Sequence, residues 1–177
     1  MKEKNATRKI VIAALLAALT CVATMIIKIP TPLKGYVNAG DGFILLGAAV
    51  LSPAYAFLAG GLGSALADVL SGYTTYAPAT FLIKGLMGLV TTLILLKLKE
   101  KNCKFIMKLI PAILAEVIMV LGYFIFEGIL YGFGPSAVNI IPNVFQGIAG
   151  IIIGLSLMGI FEKNKIKLFL RKLLYMQ

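Results

Sequence analysis

Asp41, Asp68 and Lys84 stand in a stretch, Asn38 to Gly88, that is otherwise mostly small and apolar. Glu116 and Glu127 interrupt a second apolar run. An ionisable group facing lipid costs at least ~2.5–3.5 kcal/mol, so in so apolar a chain such groups turn towards one another or a cavity. Hydrogen-bonding and aromatic side chains accompany them: Asn38, Tyr73 and Tyr76 in the turn Ser71–Pro78, Thr80, Tyr123, Asn139 and Asn143. A few placed polar groups among aromatic walls suit the capture of a small, polar, ring-shaped molecule. They do not suit a recognised catalysis. The chain has no histidine, which removes the commonest general base and metal ligand. It has no Walker A motif, no zinc spacing and no kinase signature. Gly60-Gly61-Leu62-Gly63 lacks the Gly-Lys-Ser/Thr that follows in a phosphate loop. No enzyme activity, resident cofactor or metal is expected.

The elements that must position these groups are membrane helices. Of the 177 residues, 60% are hydrophobic and 14% charged, against about 25% charged in an ordinary soluble domain. The net charge of +10 would suit nucleic acid in a soluble protein. Here fourteen of the seventeen basic residues fall in three short blocks between apolar runs: residues 1–9, 97–108 and 162–177. That is the positive-inside pattern of a polytopic membrane protein, surrounded by lipid, and nucleic-acid binding is not expected. Ile10–Ile29 is long enough to span, so it reads as a first helix rather than a cleaved signal peptide. Cys21 and Cys103 lie in unlike surroundings and indicate neither a disulfide framework nor a metal site.

Residues 42–71 decide the number of spans. One helix would be ~45 Å long at 1.5 Å per residue, too long for a core of ~30 Å. Breaking it at Ser52-Pro53 puts all three basic blocks on one side. The expected architecture is all-α, a single membrane domain over 1–177. It has a cytoplasmic N-terminus (1–9), a six-helix bundle (10–161) with short helices 2 and 3, and an amphipathic cytoplasmic tail (162–177). Pro30-Thr31-Pro32 ends the first helix, and residues 33–41 form an outer loop.

Each polar residue has a structural alternative. Asp41 caps the next helix or meets a ligand. Lys84 snorkels to the surface or faces the interior, paired with Asp68 or a ligand. Glu116, Tyr123 and Glu127 share one helical face, with Glu127 nearer the outer end. Asn139, Asn143 and Gln146, at i, i+4 and i+7, form a stripe that bonds another helix or lines a pocket. Ala13/Ala17 and Ala14/Ala18 are overlapping small-residue pairs that let another helix approach closely.

The chain resembles the substrate-binding S components of energy-coupling factor (ECF) vitamin transporters. The resemblance rests on the alanine pairs of helix 1, on the run from Asn38-Ala39-Gly40-Asp41 through Leu51-Ser52-Pro53 to Gly60-Gly61-Leu62-Gly63-Ser64-Ala65-Leu66-Ala67-Asp68, and on Tyr76-Ala77-Pro78-Ala79-Thr80 with Lys84-Gly85. Within that family it is most similar to the riboflavin-type branch, which includes carriers for pyridoxine and hydroxymethylpyrimidine. The resemblance implies a multi-pass protein of a bacterial cell membrane that binds a vitamin from outside. It implies docking on a transmembrane coupling subunit through Ala13, Ala14, Ala17 and Ala18, with two cytoplasmic ATPases that alone use ATP. Asn38, Asp41, Asp68, Tyr73, Tyr76, Thr80, Lys84, Tyr123, Glu127, Asn139 and Asn143 are the expected contacts of a neutral heteroaromatic alcohol such as pyridoxine, with riboflavin or a pyrimidine as alternatives. A stand-alone ion-coupled carrier, with Asp68, Glu116 and Glu127 as proton sites, is the alternative.

Overall fold

The computed structural model describes residues 2–33, 35–100 and 105–163. The expected tail beyond 163, the basic loop 101–104 and Cys103 lie outside the described residues. Six helices form: α1 Lys2–Ile26, α2 Asp41–Val50, α3 Pro53–Leu70, α4 Ala77–Glu100, α5 Leu109–Tyr131 and α6 Phe133–Lys163. All but α2 are long and apolar enough to cross a membrane. The all-α polytopic architecture is therefore the observed one. Helix 3, expected to be short, has 18 residues and is long enough to cross. Its apolar run starts directly at Pro53, whose fixed φ suits the first helical turn.

The short helix is the centre of the bundle. With ten residues, α2 is ~15 Å long, half of a hydrocarbon core. It is apolar almost all round, and a helix of that kind must be covered on every side. Its neighbours are α1, α3, α4 and α6. Ile44 and Leu45 pack with Ile83 and Met87 of α4, Ala112, Ala115 and Met119 of α5, and Met158 of α6. Leu46 joins Ala13 and Leu16 of α1 and Ala56 and Ala59 of α3. Outward-facing Leu, Ile and Val on α1, α4, α5 and α6 are left for lipid.

Close approaches fix this arrangement. A side chain at Gly63 of α3 would strike the backbone of Ala17 on α1. One at Gly88 of α4 would come within 2.6 Å of the Ala56 carbonyl of α3. Small residues at such crossings let backbones touch. The two alanine pairs of α1 thereby separate. Ala13 is buried and Ala17 half-buried against α2 and α3, whereas Ala14 and Ala18 are exposed. Ala13 and, in part, Ala17 belong to the protein's own packing, and Ala14 and Ala18 are the pair left on the surface.

The expected outer loop is partly a β-hairpin. Strands β1 (Lys28–Pro30) and β2 (Tyr36–Asn38) pair antiparallel, with Ile29 opposite Val37. The apolar pattern of span 1 hid the first strand, since Ile26, Ile27 and Ile29 continue the run. The hairpin shares one end of the bundle with the turn at 71–76 and the α5–α6 turn. Gly72 (φ 85°) and Gly132 (φ 91°) adopt there a backbone conformation that other residues rarely take.

Candidate functional site

Under the hairpin is a cavity with about 420 Å³ of atom-free space, counting the part open to the surface. Its walls come from α1 (Thr24), the hairpin (Thr31, Gly35, Tyr36, Asn38), α3 (Ser64, Asp68), the turn before α4 (Tyr76), α4 (Thr80, Lys84), α5 (Tyr123, Glu127) and α6 (Asn143). The cavity brings together eight of the eleven expected ligand contacts. Tyr73, Asp41 and Asn139 stand just behind its walls.

The floor is a completed ion pair. Lys84 is 1% exposed, which ends the snorkelling alternative. Its ammonium donates to Asp41 Oδ1, a salt bridge between two buried groups. The expected partner, Asp68, is not the one found. Asp41 lies in the first turn of α2, at the centre of the bundle, where Lys84 reaches it from α4. Asp41 is also not an N-cap: Gly40 holds that position, and no side chain caps the helix. The other Asp41 oxygen accepts from Gln146 Nε2 at 2.6 Å. Gln146 Oε1 in turn accepts from the Asn38 backbone N–H at 2.9 Å. The floor thus ties α4, α2, α6 and the hairpin together. Lys84 also lies 5.6 Å from the centroid of the Tyr123 ring, within cation–π range.

The mouth is built differently. Tyr36 donates to Asp68 Oδ1 at 2.5 Å and packs on Tyr73, ring centroids 4.6 Å apart. Lys28 donates to Ser71 at 2.9 Å, joining the hairpin to the α3–α4 turn. Burial, and after it the Asp68 carboxylate, hold the Tyr36 hydroxyl well above the usual phenol range, so it remains a donor. Tyr76 donates to the Leu33 carbonyl at 2.7 Å and approaches Glu127 Oε1 at 3.2 Å. Its hydroxyl is likewise raised, by burial and then by Glu127. Asn139 donates to the same Glu127 oxygen at 2.9 Å. Thr80 and Tyr123 share a hydrogen bond of 3.0 Å.

Among the described residues, four polar atoms of residues in the cavity walls are buried without a hydrogen-bond partner: Thr24 Oγ1, Ser64 Oγ, Asp68 Oδ2 and Glu127 Oε2. The Thr80 hydroxyl bonds Tyr123 and, accepting from that phenol, can still turn its own proton to Asp68. Unpaired buried polar groups cost about 1–3 kcal/mol each, and a native structure holds few without a reason. Two of these atoms are carboxylate oxygens of residues in the walls of one cavity, with the Lys84 ammonium at its floor. Among the described residues no group of three His, Cys, Asp or Glu could hold a metal ion.

Sequence reading missed Tyr36, Thr24, Thr31, Gly35 and Ser64. A hydroxyl in an apolar helix is ambiguous, because it can bond its own backbone, as Thr20 does to the Leu16 carbonyl at 2.9 Å. Tyr36 lies in the stretch read as a loop, and only the hairpin aims it inward. In the α6 stripe both readings hold: Asn139 and Gln146 bond other elements, and Asn143 lines the cavity.

Residues 4–163 match the family model described as ECF-type riboflavin transporter, S component. An uncharacterized protein in the gap 3′ region of Pyrococcus woesei is 37% identical over 144 residues, covering 81% of this chain and 94% of that one. The thiamine precursor transporter HmpT of Lactococcus lactis subsp. cremoris (strain MG1363) is 27% identical over 172 residues, 94% of each chain.

Proposed function

The chain belongs to the family of S components of ECF-type riboflavin transporters, and from that premise we propose that it captures a thiamine precursor of the hydroxymethylpyrimidine type. It is a membrane-embedded, non-catalytic transport subunit for a vitamin or vitamin precursor. In the proposed cycle the hairpin end faces outside, and both termini face the cytoplasm. A transmembrane coupling subunit and two ATPases supply the energy. Ala14 and Ala18 offer that subunit a close-packing surface.

The observation that carries the ligand assignment is a pair of carboxylate oxygens, Asp68 Oδ2 and Glu127 Oε2, that no described residue bonds and that belong to residues lining one cavity with Lys84. A pyrimidine with an amino group and a hydroxymethyl group has a donor for each carboxylate and a ring nitrogen for the lysine. Tyr36, Tyr76 and Tyr123 supply the walls, in a chain without tryptophan. The relative named as a thiamine precursor transporter points the same way.

Titration calorimetry of the purified chain with hydroxymethylpyrimidine, pyridoxine and riboflavin tests the assignment. The pyrimidine is expected to bind tightest, and tighter binding of riboflavin refutes it. For the docking surface, Ala14→Leu with Ala18→Leu should abolish uptake in cells carrying the complete transporter while leaving calorimetric affinity unchanged. Normal uptake by that variant removes the surface from the mechanism.

A further inference from the structure

Glu116 lies on α5 below the cavity and does not line it. It is 5% exposed, and neither carboxylate oxygen has a hydrogen-bond partner among the described residues. Across from it α6 presents Gly147 and Gly150. A methyl group at Gly150 would stand 2.7 Å from Glu116 Oε1 and 2.8 Å from the Asp41 Cβ. The two acidic side chains therefore meet over that glycine. The charged groups facing Glu116 are Asp41 from α2 and Lys84 from α4, and both are bonded to each other. From α6 come the glycines and the uncharged Gln146, which is committed to Asp41.

One lysine thus serves two buried carboxylates. A bare carboxylate out of water costs several kcal/mol, and adjacent carboxylates resist ionising together. We propose that Glu116, lying against the Asp41–Lys84 pair, is a proton-binding site that holds one proton. At neutral pH Glu116 carries it while Lys84 sits on Asp41. The site supplies what the ion pair alone lacks, a neutral neighbour that leaves Lys84 free to turn its remaining N–H groups to the cavity. A ligand that draws Lys84 upward leaves an Asp41 oxygen open, and the protonated Glu116 can donate to it. When Glu116 ionises, it competes for Lys84 instead. Ligand capture is therefore favoured with the proton bound, and affinity falls as pH rises through the Glu116 titration. This linkage rests on the ligand reading given above, whereas the proton site does not.

Infrared spectroscopy of the ligand-free full chain decides the site. At neutral pH the wild type should show a protonated-carboxyl C=O band that is absent from Glu116→Gln. Asp41→Asn, which frees Lys84 to pair with Glu116, should also lose that band and serves if the first variant does not fold. A wild type without the band, or a band that survives in both variants, overturns the proposal. Calorimetry with hydroxymethylpyrimidine then reads the linkage. From mildly acidic to alkaline pH the wild type should lose about tenfold in affinity, or 1.4 kcal/mol, and Glu116→Gln should stay flat. A flat wild-type profile refutes the linkage. No binding of the pyrimidine at any pH refutes the ligand assignment, while the spectra still decide the proton site.

Discussion

Asp41 and Asp68 carry the same side chain in two regions built to opposite rules. At the floor, both Asp41 oxygens are bonded, one to Lys84 and one to Gln146. At the mouth, Asp68 has one oxygen on Tyr36, while the other has no partner fixed among the described residues beyond a Thr80 hydroxyl within reach. Glu127 repeats the mouth pattern, with Oε1 doubly engaged and Oε2 bare. The floor joins helices to one another, and its Asp41 carboxylate is spent on structure. The mouth keeps half of its bonding capacity in reserve beside a cavity. A completed ion pair and a half-completed carboxylate therefore respond differently to the loss of a partner.

The largest effect is expected at the floor. Lys84→Met leaves Asp41 as a buried charge without its counter-ion, a change that costs about 3–5 kcal/mol. Thermal unfolding in detergent should record a large fall in Tm. The double variant Lys84→Met with Asp41→Asn should regain much of that stability without regaining ligand affinity. If the single variant unfolds like wild type, the floor is not a structural ion pair and the comparison fails.

At the mouth the expected losses are in affinity. A hydrogen bond to a charged group contributes roughly 1.5–3 kcal/mol. Asp68→Asn and Glu127→Gln should each weaken ligand binding about ten- to a hundredfold by calorimetry. Both remove a half-satisfied buried carboxylate, so neither should lower Tm. A variant that loses stability but keeps affinity would move its carboxylate to the structural group.

The smallest effect tests the hairpin over the mouth. Tyr36→Phe keeps the ring on Tyr73 and removes the hydroxyl from Asp68. Losing that closure should speed ligand dissociation by about threefold to tenfold in stopped-flow measurements, within the usual range of a single hydrogen bond. An unchanged dissociation rate would mean that the hairpin is held by its other bonds, Lys28–Ser71, Asn38–Gln146, Tyr76–Leu33 and Asn139–Thr31.

How much of this was legible beforehand follows from the range of each interaction. Apolar length and proline position are local properties. They determined the long helices α1, α4, α5 and α6, the break before Pro53 and the clustering of polar residues at one end, but not the full length of α3. Helical periodicity likewise placed Tyr123 and Glu127 on one face, and the cavity uses both. Partner choice is not local. Lys84 is 16 residues from Asp68 and 43 from Asp41 in the chain, and the more distant residue won. The reason is packing: α2, too short to span and apolar almost all round, had to be enclosed by α1, α3, α4 and α6, which carried Asp41 to the centre. The same enclosure turned Ala13 and Ala17 inward and left Ala14 and Ala18 outside. The hairpin that aims Tyr36 at Asp68 exists only because its two short strands pair with each other over the bundle's open end, a contact that neither strand's residues announce alone.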